Sequence, residues 1–295
     1  MVDVSVIIAV KNESKYIGEA LESIASQENL NFEILVVDDN STDDTYEIVN
    51  SFSKDRSKVS VYHSPSKGKV AAFNFGVKKS TGRYVCLFAG DDIMPKDSLK
   101  ARLDSIKEKE DHGPCLGLSK IKTLSDNKKL DGVIVPKQKG RGNPSGQSPL
   151  MNRSATDILF PIPEHLPNED TWLEIAICHS SLCKIVHSDI ICCLWRIHSG
   201  NSYNFNLSNS DFKKKIYLRR EAFQLFYDKF FDKLSIKENQ NIKSLISLTE
   251  AYKSGNILKI INTDAPLKER LRLLGTSNSF FYSIRKFFYT FLSGW

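Results

Sequence analysis

Over its first hundred residues the chain repeats one pattern: a short apolar run, a polar turn, then a stretch with helical spacing. Val4–Ala9 reads as a strand; Ile17, Leu21 and Ile24 then share one face of a helix that Ser14 would cap and that runs to about Ser26. Glu33–Val37, Val59–His63 and Tyr84–Phe88 are further strands. Helical patterns separate them, from "NSTDDT" to about Phe52, over Lys69–Lys79, and from Pro95 to about Glu110. The small polar residues and acids of "NSTDDT" suit a helix N-terminus, where backbone N–H groups lack partners and the dipole favours negative charge. Short strands alternating with helices are linked by right-handed crossovers, which yields a mostly parallel sheet. The expected fold is α/β, a Rossmann-like sheet flanked by helices, of a nucleotide-binding type.

The rhythm breaks at Ser125–Ser148, a segment rich in Lys, Gly, Pro and Ser with one short apolar island, which reads as a long mobile loop. Order returns from Thr156 to about Ser202, and beyond Ser210 the pattern is helical: Phe212–Phe231, Lys237–Ser254, Asn256–Ile261 and a last region opened by Pro266. This divides the chain into a sheet domain over residues 1–205 and a helical C-terminal extension over 206–295. A hydrophobic share of 41% with 26% charged residues excludes both disorder and a polytopic membrane protein. With 295 residues a core can form without disulfides or a structural metal. The six cysteines sit in apolar runs such as "YVCLF" and "IICCLW", where Cys behaves as a small hydrophobe. Cys178, His179, Cys183, His187, Cys192 and Cys193 lack paired C-x2-C spacing and read as core rather than as a zinc site. The N-terminus opens directly into a buried strand without a basic leader, and no apolar run reaches the length of a membrane span, so the cytoplasm is the expected compartment.

In an open parallel sheet, ligands bind beyond the carboxyl ends of the strands, so acids there are candidates by position as well as by type. Asp38-Asp39 and Asp91-Asp92 each follow an apolar strand. Adjacent side chains point to opposite sides, so one member of each pair faces a ligand. Two acids brought to one crevice suit a hard divalent cation, or a ribose and a base edge; the same pairs also suit turns and helix starts. No G-x-G-x-x-G follows the first strand and no G-x-x-x-x-G-K-S/T occurs, which lowers dinucleotide oxidoreductase and P-loop readings. Without a phosphate cradle of that kind, a bound pyrophosphate needs a cation to neutralise it, and paired acids can supply its ligands.

Five segments occur in an order and spacing that resembles the family-2 inverting glycosyltransferases of GT-A fold: "VSVIIAVKNESKYIGEALESIASQ", "FEILVVDDNSTDDT", "GKVAAFNFGVKKSTGRYVCLFAGDDIM", "LPNEDTWL" and "WRIHSGNS". The resemblance covers roughly residues 2 to 205. It implies that Asp39 contacts the imide N–H of a uracil-type base, and that Val10, Glu13, Lys69 and Asp91 join it in binding the donor. It implies that Asp91 and Asp92 are the metal-and-ribose pair, with Asp92 the direct ligand of Mn²⁺ or Mg²⁺ and His198 near the diphosphate and metal. Glu169-Asp170 matches the acid pair that supplies the catalytic base, and Asp170 is the choice. Inverting transfer needs one carboxylate to take the proton of an acceptor hydroxyl and a cation to stabilise the departing nucleoside diphosphate. The implied partners are a nucleotide-diphosphate sugar, taken as a UDP-sugar, and a glycan or lipid-linked acceptor, in surface polysaccharide or lipid-linked glycan synthesis. Ala9 and Lys11 stand where many relatives have Pro and an aromatic, which removes a stacking partner for the base; Lys11 suits either a phosphate or solvent. A sugar nucleotidyltransferase and a non-catalytic nucleotide-sugar-binding scaffold remain as alternatives.

The net charge of +6 is unevenly spread: from Lys213 onward 16 Lys and Arg face 7 Asp and Glu, and the preceding residues carry a slight negative balance. Near the end, Phe280, Phe281, Ile284, Phe287, Phe288, Phe291 and Leu292 fall on one helical face beside basic residues. Such a segment suits an interfacial helix on an anionic membrane, peripheral to the inner face of the cell membrane; packing on its own domain or on another subunit also fits. Nucleic acid is not an expected partner, because these aromatics lie on an apolar helical face rather than on a stacking platform.

Overall fold

Residues 1–109, 113–144, 146–198 and 208–283 are described by the computed structural model of the protein. They fall into two compact units, one of residues 1–177 and 182–198, the other of residues 178–181 and the described residues beyond 198. The first unit opens with β1 (Val4–Val10), α1 (Ile17–Ala25), β2 (Phe32–Asp38), α2 (Thr45–Ser53), β3 (Val59–His63), α3 (Lys69–Lys79), β4 (Tyr84–Ala89) and α4 (Ser98–Lys107). β1 pairs in parallel with β2 and β4, and β2 with β3. A strand enclosed on both faces has no polar side, and in β1 every residue except Ala9 is buried. α3 lies close against β1 because position 76 is glycine: a Cβ there would sit 2.3 Å from Ile7 Cγ2.

Ser14 does not cap α1, which begins at Ile17 with Tyr16 as its uncapped N-cap. The reason lies in the loop after β2. Asn12 N–H donates to Ser41 Oγ (3.0 Å), Glu13 N–H to Thr45 Oγ1 (2.8 Å) and Ser14 N–H to Asp43 Oδ2 (3.2 Å). The polar side chains of "NSTDDT" thus hold the β1–α1 loop, and the N-cap of α2, Asp44, makes no side-chain bond to its own helix.

Beyond α4 come β5 (Cys115–Leu124), β6 (Ile134–Val135), β7 (Leu150–Asn152), α5 (Arg153–Leu159), α6 (Asp170–His179) and β8 (Lys184–Arg196). The eight strands form one sheet in the order β3-β2-β1-β4-β7-β5-β6, with β8 also on β5. β7 runs antiparallel between β4 and β5, while β8 runs parallel to β5. Ser125–Ser148, expected to be a long loop, is instead tied to the sheet. Ile134–Val135 pairs antiparallel with Ile121–Lys122, and the chain then returns with Gly140 N–H donating to Asp189 Oδ1, Gly142 N–H to His187 Nδ1 and Asn143 N–H to Ser119 O. Short polar segments carry no period, so pairing of this kind leaves no local signature.

The second unit is helical: α7 (Asn209–Phe230), α8 (Ile236–Ser254), α9 (Ile257–Ile261) and α10 (Leu267–Ser277). A capping box of Ser235 and Glu238 opens α8, and Gly255 in the left-handed conformation closes it. Phe226, Phe230, Leu245, Leu248 and Tyr252 are fully or almost fully buried. Of the expected terminal helix, Ile284 to Trp295 lies outside the described residues. At its start Phe280 is exposed, whereas Tyr282 is buried and packs on Phe212 with ring centroids 5.2 Å apart. Among the described residues no helix is long and apolar enough to cross a membrane.

Candidate active site

Register places the site. Val10 pairs with Asp38, and Ala9 with both Val37 and Ala89, so the carboxyl ends of β2, β1 and β4 lie side by side. Asp39 and the pair Asp91-Asp92 leave those ends.

Asp39 is buried and held from both sides. Its Oδ1 accepts from Gly68 N–H at 2.9 Å, and its Oδ2 lies 3.4 Å from Lys11 Nζ. Asp39 N–H donates to Val10 O at 2.8 Å, which joins the two strand ends. Lys11, expected at a phosphate or in solvent, is the partner of the base-reading candidate. Asp38 turns the other way and accepts from Ser41 N–H.

The second acid pair is shaped by a distant strand. Ile93 and Leu194 exchange backbone hydrogen bonds of 3.2 and 2.8 Å, which draws the end of β8 over residues 91–93. Arg196 N–H then donates to Asp92 Oδ1 (2.7 Å), Arg196 Nε to Asp91 O (2.9 Å), and His198 Nε2 lies 3.0 Å from Asp91 Oδ2. Gln147 Nε2 donates to the other oxygen of Asp92. Asp92, expected as the direct metal ligand, is therefore 1% exposed with both oxygens engaged by the chain, while the Asp91 side chain is 15% exposed. Burial and the neighbouring Asp91 charge raise the Asp92 carboxyl to about 7 against the pull of its hydrogen bonds. Glu13 is likewise raised to about 7, by burial first and then by Asp91, Asp92 and Asp43, with Lys69 opposing.

Asp170 is the first residue of α6, whose start is anchored by buried Trp172 donating Nε1–H to Leu159 O at 3.1 Å. Asn168 Nδ2 donates to Asp170 Oδ2 at 3.1 Å. Glu169 is buried and pairs with Lys69 Nζ at 2.9 Å. Burial pulls the Lys69 ammonium down, but Glu169, Asp170 and Asp91 more than reverse this and hold it above its ordinary value. Burial raises the Glu169 carboxyl; Lys69 opposes this and Asp170 adds to it. Asn168 Oδ1, Glu169 Oε2, Asp170 Oδ1 and Gln147 Oε1 are buried acceptors with no hydrogen-bond partner among the described residues.

Lys69 thus links the Asp170 region electrostatically to Asp91 and Glu13, and the structure brings Glu13, Lys69, Asp91, Asp92, Asp170 and His198 into one neighbourhood; Asp39 and Val10 lie at the adjoining strand ends. Three participants escaped the sequence reading. Arg196 stands two positions before His198 and Asn168 directly before Glu169, so both had a motif neighbour as signal; Gln147 had none. Of the cysteines, Cys178 is exposed rather than core, and the other five are buried. Among the described residues no group of three or more His, Cys, Asp or Glu is placed to hold a metal ion. A cleft of about 530 Å³, lined among others by Asn74, Phe75, Arg153 and Asp157, includes none of the site residues.

A mixed sheet with a parallel core, flanked by helices and with acids at the ends of β2 and β4, is a GT-A-type fold. The chain belongs to glycosyl transferase family 2, whose pattern it matches over residues 5–162. An uncharacterized glycosyltransferase of Rickettsia felis is 39% identical over 105 residues, 36% of this chain and 17% of that protein. The Staphylococcus aureus poly(ribitol-phosphate) beta-N-acetylglucosaminyltransferase TarS is 39% identical over 103 residues, 34% of this chain and 18% of its own length. The chain therefore spans less than a fifth of either relative. The structure of TarS residues 1–349 with UDP-GlcNAc aligns at a TM-score of 0.62 and 21% identity, over 93% of this chain and 80% of that one. The mannosyltransferase PcManGT of Pyrobaculum calidifontis, in complex with GDP-Man and Mn²⁺, aligns at 0.56 and 15% identity over 96% and 74%. Both share the fold.

Proposed function

We propose that the protein transfers a sugar, with inversion, from a nucleotide-diphosphate donor to an acceptor hydroxyl, with Asp170 as the base. The observation that carries this is Asp170 itself: one oxygen is oriented by Asn168, and the other is buried with no donor among the described residues. A carboxylate held in that way has one acceptor position for the proton of an attacking hydroxyl. Glu169 and Lys69 neutralise each other beside it, which keeps a second uncompensated charge out of the same pocket.

Asp39 would read the base edge, as the resemblance implies, and the UDP-GlcNAc bound to TarS favours a UDP-sugar. Two of the residues present suit a divalent cation, and the described residues bring no third His, Cys, Asp or Glu to it. Asp91 and His198 offer a hard oxygen and an imidazole, and Glu13, raised to about 7 by burial first, is pushed further up by the neighbouring carboxylates Asp91, Asp92 and Asp43. Asp91 and His198 would hold the ion, with Asp92 fixed behind them by Arg196 and Gln147. When bound, Mn²⁺ or Mg²⁺ there supplies charge to offset a departing diphosphate. The acceptor belongs to surface polysaccharide or lipid-linked glycan chemistry on this reading, and the basic C-terminal segment meets an anionic membrane surface. Removal of Phe280–Trp295 is expected to release the protein from anionic vesicles in co-sedimentation; unchanged binding would remove the membrane from the proposal.

A donor screen read by nucleoside-diphosphate release tests the function. One nucleotide sugar should support release that depends on Mn²⁺ or Mg²⁺ and on an added glycan acceptor. Binding of nucleotide without turnover across donors and acceptors would point to a scaffold instead.

A further inference from the structure

Two amide side chains in the site share an arrangement that base catalysis does not require. Gln147 gives its N–H to Asp92, and Asn168 gives its N–H to Asp170. With each NH₂ facing its acid, each amide oxygen is turned away from it. Both amide oxygens, Gln147 Oε1 and Asn168 Oδ1, are buried without a hydrogen-bond partner among the described residues, as are Glu169 Oε2 and Asp170 Oδ1. Buried acceptors left unmade are destabilising and uncommon. Four in one site describe a pocket complementary to a ligand rich in O–H or N–H donors.

The backbone carrying Gln147 is built to hold it there. Buried Arg102 donates through Nη2 to Gln147 O (3.1 Å) and Ser148 O (2.9 Å). Ser148 Oγ accepts from Ser119 N–H and donates to Ser119 O, both at 2.8 Å. One residue earlier, Gly146 adopts a φ of +65°, and a Cβ there would lie 3.5 Å from Asp170 Oδ1. Consecutive residues 146 and 147 therefore reach both acids, Asp170 and Asp92. That is the span in which the transferred sugar has to lie if Asp170 is the base and the Asp91-Asp92 turn receives the diphosphate.

We infer that Gln147 and Asn168 read the transferred sugar, their amide oxygens accepting hydrogen bonds from its hydroxyl or N-acetyl N–H groups. Gln147 is then a specificity-determining residue, and the Ser125–Ser148 segment selects the donor sugar rather than the acceptor. This rests on the glycosyltransferase reading above, and the measurement separates the two. Binding of UDP and GDP, and of their glucose, N-acetylglucosamine and mannose conjugates, is measured by calorimetry with Mn²⁺ for wild type, Gln147→Met and Asn168→Ser.

Wild type should bind one nucleotide sugar more tightly than the matching free nucleotide. Gln147→Met is compared within itself: a cooperative thermal melt shows that it is folded, and the ratio of its nucleotide-sugar affinity to its free-nucleotide affinity should fall roughly five- to tenfold, which cancels any change that loss of the Asp92 contact makes to nucleotide binding. Asn168→Ser should lose a similar increment, and selectivity among the sugars should narrow in both. Retention of the full increment and selectivity by both variants overturns the inference alone. So does a wild type that binds nucleotide but gains nothing from the sugar. Failure of wild type to bind any of these nucleotides overturns the function and the inference together.

Discussion

Arg220 in the helical unit and the Asn168–Asp170 run in the sheet unit are both buried polar groups, and the chain treats them in opposite ways. Arg220 gives Nε to Thr249 Oγ1 (3.0 Å), Nη1 to Glu269 Oε2 (3.0 Å) and Nη2 to Leu245 O (3.3 Å). It ties α7 to α8 and α10 with its guanidinium engaged through all three nitrogens. At the start of α6, by contrast, three successive side chains each leave one acceptor atom without a donor among the described residues. A satisfied buried charge is what a fold needs for itself; a row of unsatisfied acceptors is what a site keeps for something else.

The largest test of that contrast is Asp170→Asn. Turnover should fall on the order of a thousandfold, measured by nucleoside-diphosphate release, while nucleotide affinity stays within about twofold. Near-normal turnover would remove Asp170 as the base. On the other side of the comparison, Arg220→Met should lower stability by about 2 kcal/mol in urea denaturation, because Thr249 Oγ1, Leu245 O and Glu269 each lose a donor while Glu269 keeps Arg272. Turnover per folded molecule should be unchanged in that variant; a matching loss of turnover would mean that the helical unit contributes to chemistry.

Asp91→Ala is expected to weaken Mn²⁺ binding by at least about tenfold in a titration followed by electron paramagnetic resonance. An unchanged Mn²⁺ affinity would move the cation away from Asp91 and His198. The smallest effect concerns Glu13, whose folded-state value of about 7 lies above its ordinary 4.5. Between those two values the folded chain retains a proton that the unfolded chain has released. Metal-free stability should therefore fall as pH rises from about 4.5 to 7, by on the order of 1 kcal/mol. Glu13→Gln should reduce that slope and leave the part that Asp92, also raised to about 7, and Glu169 contribute; a slope unchanged in the variant would assign all of it to those other groups.

Local pattern made part of this legible. β3 and α3 have the bounds that their periodicity indicated, and β1, β2 and β4 differ from expectation only at their ends. The positions of Asp39 and Asp91 at strand ends followed from the same pattern, whereas Asp170 was indicated by the family resemblance. The polar loop residues were harder, because their partners are not local. "NSTDDT" looks like a helix cap and mainly binds the β1–α1 loop, since Thr45 and Asp43 meet N–H groups about 30 residues earlier in the chain. Gln147 sits in a stretch without period and reaches Asp92, 55 residues away.

By itself, then, the amino-acid sequence determined the alternation of strands and helices, the parallel core and the acids that end its strands. Each of these depends on side-chain periodicity over a few residues, which any reader of the chain can see. The tertiary structure alone decided how those acids are used. The Ile93–Leu194 bridge gave Asp92 to Arg196 and placed His198 against Asp91, while the Ser119–Ser148 and Arg102 contacts delivered Gln147. Hydrogen bonds between segments distant along the chain have no local period, so the division between satisfied and waiting polar groups exists only once the sheet has closed.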